Sequence, residues 1–326
     1  MNKTELNESL QFLITDDAPL EVVVYAKLKD VEQPKKLDIK ADDLPEISTM
    51  FVDAIKFQIV EKSEHTILPL STADERGNCF YQYDLDLPEE LTNLETVIAN
   101  DNLETFDFRI NKLEEIDSLI IVLAVGDDEV SIYKKVSPIE VLGRGGYILG
   151  KANQRLERFN EQLLRISQRF QIIRVNEEII ILDLNAVEKS FGFQDVIKRE
   201  ATLSINTIEE MDIVADINSL REMVNDISFA RKLTKVAKNS PVLTLHIPNN
   251  DIISFSKKHP ATKNMKYSEN DTKFELSTKV SKNLFLKLLN DDLLTSELTK
   301  LFYASLAKDG FKIDEVTEET ADNINE

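Results

Sequence analysis

Apolar and polar positions alternate with two different periods along the chain. E-V-V-V-Y-A-K-L, Glu21–Leu28, is β-branched with partial alternation and predicts a strand. The stretch Asp42–Ile55 reads as a helix capped by Asp42 or Asp43. Short strands are expected at Phe57–Val60, Ile67–Leu70 and Phe80–Tyr83. A helix over Glu89–Ala99 is entered from Pro88, where a missing N–H costs nothing. Leu119–Val125 and Val130–Val136, either side of G-D-D-E, read as a hairpin. Pro138 with Gly143, Gly145 and Gly146 then punctuates the chain as a boundary would.

Beyond that boundary, K-A-N-Q-R-L-E-R-F-N-E-Q-L-L-R-I-S-Q-R-F, Lys151–Phe170, has helical spacing. Ile172–Leu184 reads as a hairpin turning at Asn176 and Glu177. Helices are expected near Asn185–Ser190, Gln194–Thr207 and Ser219–Asn239, the last with Ser219 and Glu222 as a capping box. Val242–Ile247 is a strand candidate. Helices at Ser281–Leu289 and Ser296–Lys308 close the pattern, with Gly310 as the stop. These elements predict an α+β fold of mixed helices and short antiparallel strands in two lobes, residues 1–142 and 143–313. An acidic tail, 314–326, is expected to be disordered.

Charge divides along the same lines. The 326 residues carry a net charge of −20. Residues 1–142 account for −18, residues 143–313 for +4 and the tail for −6. Such asymmetry is expected when one part of a chain meets a polyanion. M-N-K-T-E-L-N-E-S holds no apolar run, so no signal peptide is expected. Leu119–Val125 falls far short of the roughly 20 apolar residues of a spanning helix. Cys79 is the single cysteine, which excludes an intrachain disulfide and fits the cytoplasm.

At about 100° per residue, Lys151, Arg155, Arg158, Arg165 and Arg169 fall within an arc of about 80°, beside a stripe of Leu156, Phe159, Leu163, Ile166 and Phe170. Neither Glu157 nor Glu161 falls in the basic arc. A rod bearing such a stripe could lie along a phosphate backbone; a solvated helix face is the plain alternative. Arg144 lies just upstream. From Arg231 to Lys266 there are eight basic residues and one acid, Asp251. The nucleic-acid-binding candidates are therefore Arg144, Lys151, Arg155, Arg158, Arg165, Arg169, Arg231, Lys232, Lys235, Lys238, Lys257 and Lys258. Overall acidity does not forbid this, because charge is screened over about 8 Å at physiological salt.

Signals for chemistry are weak. Gly145–Ala152 approaches the phosphate-loop pattern but ends in Ala152, where a magnesium-binding hydroxyl is needed. Asp291, Asp292 and Glu297 form the one obvious carboxylate cluster and are the catalytic candidates for a metal-dependent nuclease. Asp is also a common helix cap. His65, His246, His259 and Cys79 share no metal-ligand spacing, so no metal and no cofactor are expected.

V-E-K-S-F-G-F (Val187–Phe193), A-R-K-L-T-K (Ala230–Lys235) and above all Phe285–Asp309, F-L-K-L-L-N-D-D-L-L-T-S-E-L-T-K-L-F-Y-A-S-L-A-K-D, resemble the KwaB-like family of the Kiwa anti-phage defence system. The resemblance covers about residues 115 to 310. It implies a bacterial cytoplasmic defence protein that associates with DNA, self-assembles into a homo-oligomer and works with a membrane-embedded partner, KwaA, which would recruit it to the inner face of the membrane. It brings no catalytic motif. Three functions stay open: a non-enzymatic DNA-binding protein, which is preferred, a nuclease acting on phage DNA, and a module that binds only protein.

Overall fold

The structure is a computed structural model and describes residues 1–15, 19–72, 78–100, 102–137, 140–142, 148–152, 155–159, 162–190, 193–296 and 298–304. The chain forms two compact units. The first comprises Met1–Leu203 with Asn225–Lys235, the second Ser204–Val224 with the chain from Val236 onward.

The first unit opens with helices α1 (Lys3–Ser9) and α2 (Phe12–Thr15). Strands β1 (Glu21–Leu28) and β2 (Lys35–Lys36), helix α3 (Leu44–Ile55), strands β3 (Thr66–Pro69) and β4 (Cys79–Gln82) and helix α4 (Glu89–Ala99) follow. Then come β5 (Ile116–Val125), β6 (Asp128–Lys135), β7 (Val141–Leu142), β8 (Ile148–Ala152), β9 (Arg155–Phe159), β10 (Leu163–Leu164), β11 (Ile172–Val175) and β12 (Glu178–Ile181). Eight of these strands form one sheet in the order β2-β1-β5-β6-β11-β12-β4-β3, antiparallel except where β3 meets β4. The sheet draws β11 and β12 from beyond residue 142, so its strands do not divide at that point. The α+β class is as the pattern predicts.

Strand alternation explains the layering. Val22, Val24, Ala26, Leu119, Ile121, Leu123, Ile132 and Ile173 bury one face under Leu6, Leu10, Phe51 and Ile55 of α1 and α3. Ser131 faces the other side and donates to the Leu94 carbonyl of α4 at 2.9 Å. Both faces of β5 are covered, which is why it reads as an unbroken aliphatic run. Gly126 (φ +62°) makes the β5–β6 turn and Asn176 (φ 55°) the β11–β12 turn.

Helices α5 (Leu184–Ser190) and α6 (Phe193–Glu210) follow the sheet. Then come α7 (Asn218–Arg221), α8 (Ile227–Asn239), α9 (Pro241–Thr244) and α10 (Asn249–Lys258). The hairpin β13 (Lys266–Tyr267) and β14 (Phe274–Glu275), helix α11 (Lys279–Leu289) and the hairpin β15 (Leu293–Thr295) and β16 (Phe302–Ala304) complete the second unit. Its core gathers Phe274, Phe285, Leu286, Leu289 and Ile213, the two phenylalanine rings 5.4 Å apart. No helix among the described residues is long and apolar enough to cross a membrane.

Five local expectations are overturned. Lys151–Phe170 is not a helix but the β8–β9 hairpin followed by β10 and a loop. Phe57–Val60 is not a strand, because α3 runs on into a π-helical turn, Lys56–Val60, that buries Ile59 and is closed by Lys3 Nζ on the Ile59 carbonyl at 2.8 Å. Ser219 caps nothing; the helix expected over Ser219–Asn239 breaks before Asp226, whose carboxylate accepts the Phe229 N–H at 3.2 Å and starts α8. Val242–Ile247 begins as a helical turn, since Ser240 accepts the Leu243 N–H at 3.0 Å and Pro241 stands at its first position. Within Ser296–Lys308 the described part is the β15–β16 connection, with Lys300 at φ 59°, and β16 itself.

Candidate nucleic-acid interface

Residues three or four apart share a face on a helix, whereas in a strand only every second residue does. The hairpin therefore dissolves the basic stripe. In its register Lys151 stands opposite Leu156, Leu149 opposite Arg158 and Ala152 opposite Arg155. Arg155 is exposed and pairs with Glu157, Nε to carboxylate 3.3 Å. Arg169 pairs with Asp183 at 3.0 Å. Arg165 is exposed and no described carboxylate meets it. Arg144 lies outside the described residues. The five cations thus sit on a hairpin and a loop, two of them already facing acids.

What holds that loop is a buried polar network with no obvious sequence signature. Lys134 is almost fully buried, and its Nζ donates to Glu140 Oε1 at 2.8 Å, Ser167 Oγ at 2.8 Å and the Arg169 carbonyl at 3.2 Å. Glu140 also accepts the Ser137 N–H at 2.9 Å and the Ser167 hydroxyl at 2.6 Å. Burial by itself would raise the Glu140 carboxyl, but the hydrogen bonds from Lys134, Ser137 and Ser167 and the Lys134 charge outweigh it and bring it down to about 2. A backbone bond from the Arg165 N–H to the Glu140 carbonyl, 2.7 Å, and the buried Phe170 complete the tether.

The cations of α8 are also engaged. Arg231 forms a half-buried ion pair with Glu188. The pair lines a small cavity with Leu70, Leu184, Phe193 and Thr234. It joins V-E-K-S-F-G-F to A-R-K-L-T-K, so Arg231 cements helix packing rather than facing solvent. Lys232, Lys235 and Lys238 each interact with other groups.

The lysines at the end of α10 and just beyond it differ. Lys257, Lys258, Lys263 and Lys266 are all exposed around a tight turn, Pro260–Thr262. The inward side of that turn is held by hydrogen bonds. Thr262 Oγ1 donates to the Ser256 and His259 carbonyls, 2.5 and 2.9 Å away, and His259 Nδ1 accepts the Ala261 N–H at 3.2 Å. The buried His259 ring also lies edge-on to Phe302 of β16, centroids 5.0 Å apart. Lys257 meets Asp271 at 2.9 Å and lies over the Tyr267 ring. No described carboxylate pairs with Lys258, Lys263 or Lys266. Two of these four lysines end α10, one follows the turn and one opens β13, so they share no single period in the sequence.

The carboxylate candidates end a helix. Asp291 (φ 55°) follows Asn290, its N–H bonding the Leu288 carbonyl at 3.0 Å, while the Asp292 N–H bonds that of Lys287 at 2.8 Å. This paired closure is the Schellman arrangement. Asp292 is buried and accepts from Asn290 Nδ2 at 2.7 Å. Glu297 lies outside the described residues. No three His, Cys, Asp or Glu side chains converge as a metal site among the described residues. Gly150, Lys151 and Ala152 lie in β8, so the phosphate-loop pattern lacks the helix it needs.

The family model described as "Kiwa protein KwaB-like" matches residues 113–299, more than half of the chain. The chain belongs to the KwaB-like family. A relative, the Kiwa protein KwaB of Escherichia coli O55:H7 (strain RM12579 / EPEC), is 27% identical over 315 residues, covering 95% of this chain and 99% of that protein. No solved structure matches significantly. Membership in the KwaB-like family supports a role in anti-phage defence. The matched range contains the Lys134–Glu140 network, the Glu188–Arg231 pair and the lysine turn, while β1 to α4 lie outside it.

Proposed function

We propose that this KwaB-like chain acts in anti-phage defence by binding DNA without cutting it, in concert with a membrane-embedded partner subunit. The observation that carries the DNA reading is the lysine turn. Four ammonium groups within ten residues stand exposed on a backbone anchored from within by hydrogen bonds, and three meet no described carboxylate. A backbone already anchored need not be ordered when its lysines meet phosphates. Lysine on phosphate carries no sequence information, so binding depends on charge rather than base sequence. Membership in the Kiwa family supports the partner subunit.

The test is an anisotropy titration of a labelled duplex at two salt concentrations. With about three phosphates neutralised, log K falls against log salt with a slope near −2.7. Replacing Lys258, Lys263 and Lys266 by Glu is expected to remove most of the affinity and most of that slope. Unchanged affinity in this variant, with circular dichroism unaltered, would overturn the reading.

A further inference from the structure

One edge of the large sheet is left open beside a cleft of mixed apolar and polar lining. β1 pairs with β5 along its whole length, but β2 covers its outer edge only at Tyr25 and Ala26. The Leu37 N–H reaches the Val24 carbonyl at 2.8 Å, which shows that Val24 faces outward. Outward and inward residues alternate in an antiparallel strand, so the N–H and C=O of Val22 face outward as well. The β1–β2 register, extended, would place Ile39 opposite Val22. Instead the chain turns away into the 3-10 turn Ala41–Asp43 and α3. No described residue pairs with Val22 on that side.

Where the chain departs it leaves a cleft of about 440 Å³ against Val22, Val24, Leu37, Ile39 and Leu44. Asp38 lines the cleft together with Lys36, and the exposed Glu21 and Asp43 directly precede the lining residues Val22 and Leu44, so carboxylates outnumber ammonium groups there. An uncovered strand edge next to apolar side chains is a template for another strand, and folded proteins usually cover or blunt it. Main-chain bonds supply affinity in such additions, and pockets for alternate side chains supply selectivity.

We propose that this cleft receives an extended segment of a protein partner, bearing lysine or arginine, which adds a short strand beside Val22 and sets an apolar side chain among Leu37, Ile39 and Leu44. The acidic rim selects the basic charge. The inference rests on the partner-subunit reading above and locates where that subunit docks, well away in sequence from the lysine turn.

Two variants separate the possibilities in co-purification of the full chain with its membrane partner subunit. Val22→Pro removes the outward N–H without cutting an internal bond, as proline on an edge strand permits. Asp38→Lys with Asp43→Lys reverses exposed charges and leaves the backbone intact. Both are expected to lower recovery of the complex at least 10-fold at equal folding and unaltered DNA affinity. Hydrogen exchange over residues 20–24 is expected to slow in the unaltered complex. Full recovery with both variants overturns the docking site while the partner reading stands. Failure of the unaltered chain to co-purify overturns both. A change in the mass of the isolated chain with Val22→Pro assigns the edge to a second copy and overturns the heterologous partner.

Discussion

Two basic segments of this protein present opposite cases. Residues 151–170 carry five cations whose spacing aligns them on a helix; the structure spreads them over a hairpin and a loop and gives Arg155 and Arg169 acidic neighbours. Residues 257–266 carry four lysines without any period, yet the structure seats them around one turn. A helical projection is conditional on the helix. The lysine turn instead depends on what anchors its backbone, the buried and hydrogen-bonded Thr262, His259 and Ser256.

The contrast can be broken first at its supports. Lys134→Met leaves Glu140 buried and unpaired and is expected to cost about 3–5 kcal/mol, read as a lower urea midpoint. If stability holds within about 1 kcal/mol, the network does not tether the 163–170 loop. Next in size is the DNA comparison itself. Lys258→Glu, Lys263→Glu and Lys266→Glu together are expected to weaken binding about 100-fold, whereas Arg155→Glu with Arg165→Glu changes it less than about 3-fold, since each lost phosphate contact on the turn is worth roughly 1 kcal/mol. The reverse ranking in a side-by-side titration would return the site to the hairpin.

Acid sharpens the same point. The Glu140 carboxyl is held down to about 2 in the fold, below the ordinary 4.5. A depressed carboxylate contributes stability above its unfolded value, and that contribution is lost as pH falls from about 4.5 toward 2. The loss is expected to be about 2–3 kcal/mol in a denaturation series, and Glu140→Gln should flatten that part of the curve. Thr262→Val is expected to cost about 1–2 kcal/mol and to loosen the lysine turn, lowering DNA affinity severalfold. The smallest effect falls on the helix stop. Asp291→Gly is expected to relieve a left-handed residue and to shift stability by under about 1 kcal/mol, with plasmid DNA expected to stay uncut by variant and parent alike in a magnesium incubation read on a gel.

Legibility in the sequence followed how locally each element is decided. Glu21–Leu28 and Glu89–Ala99 have the boundaries their composition predicts. The β5–β6 and β11–β12 hairpins are legible because Gly126 and Asn176 mark the turns between aliphatic runs. Val242–Ile247 reads as a strand from its β-branched residues, whereas the Ser240-Pro241 cap starts a helical turn there. Phe57–Val60 looked extended because nothing in it shows that α3 has not yet ended. Of the candidate site, the number of lysines near 257 was readable, while the Lys134–Glu140 tether, linking residues from 134 to 169, was not.

The sequence by itself determined the charge division, the strongly aliphatic strands, the turns between them and the family to which the chain belongs, because each depends on composition or on neighbours a few residues away. Tertiary structure decided whether Lys151–Phe170 would be rod or hairpin, which cations meet acids, and where the sheet stays open beside Val22. Those outcomes depend on contacts between distant residues, where burial and pairing free energies exceed the few tenths of a kcal/mol by which local propensity favours helix or strand.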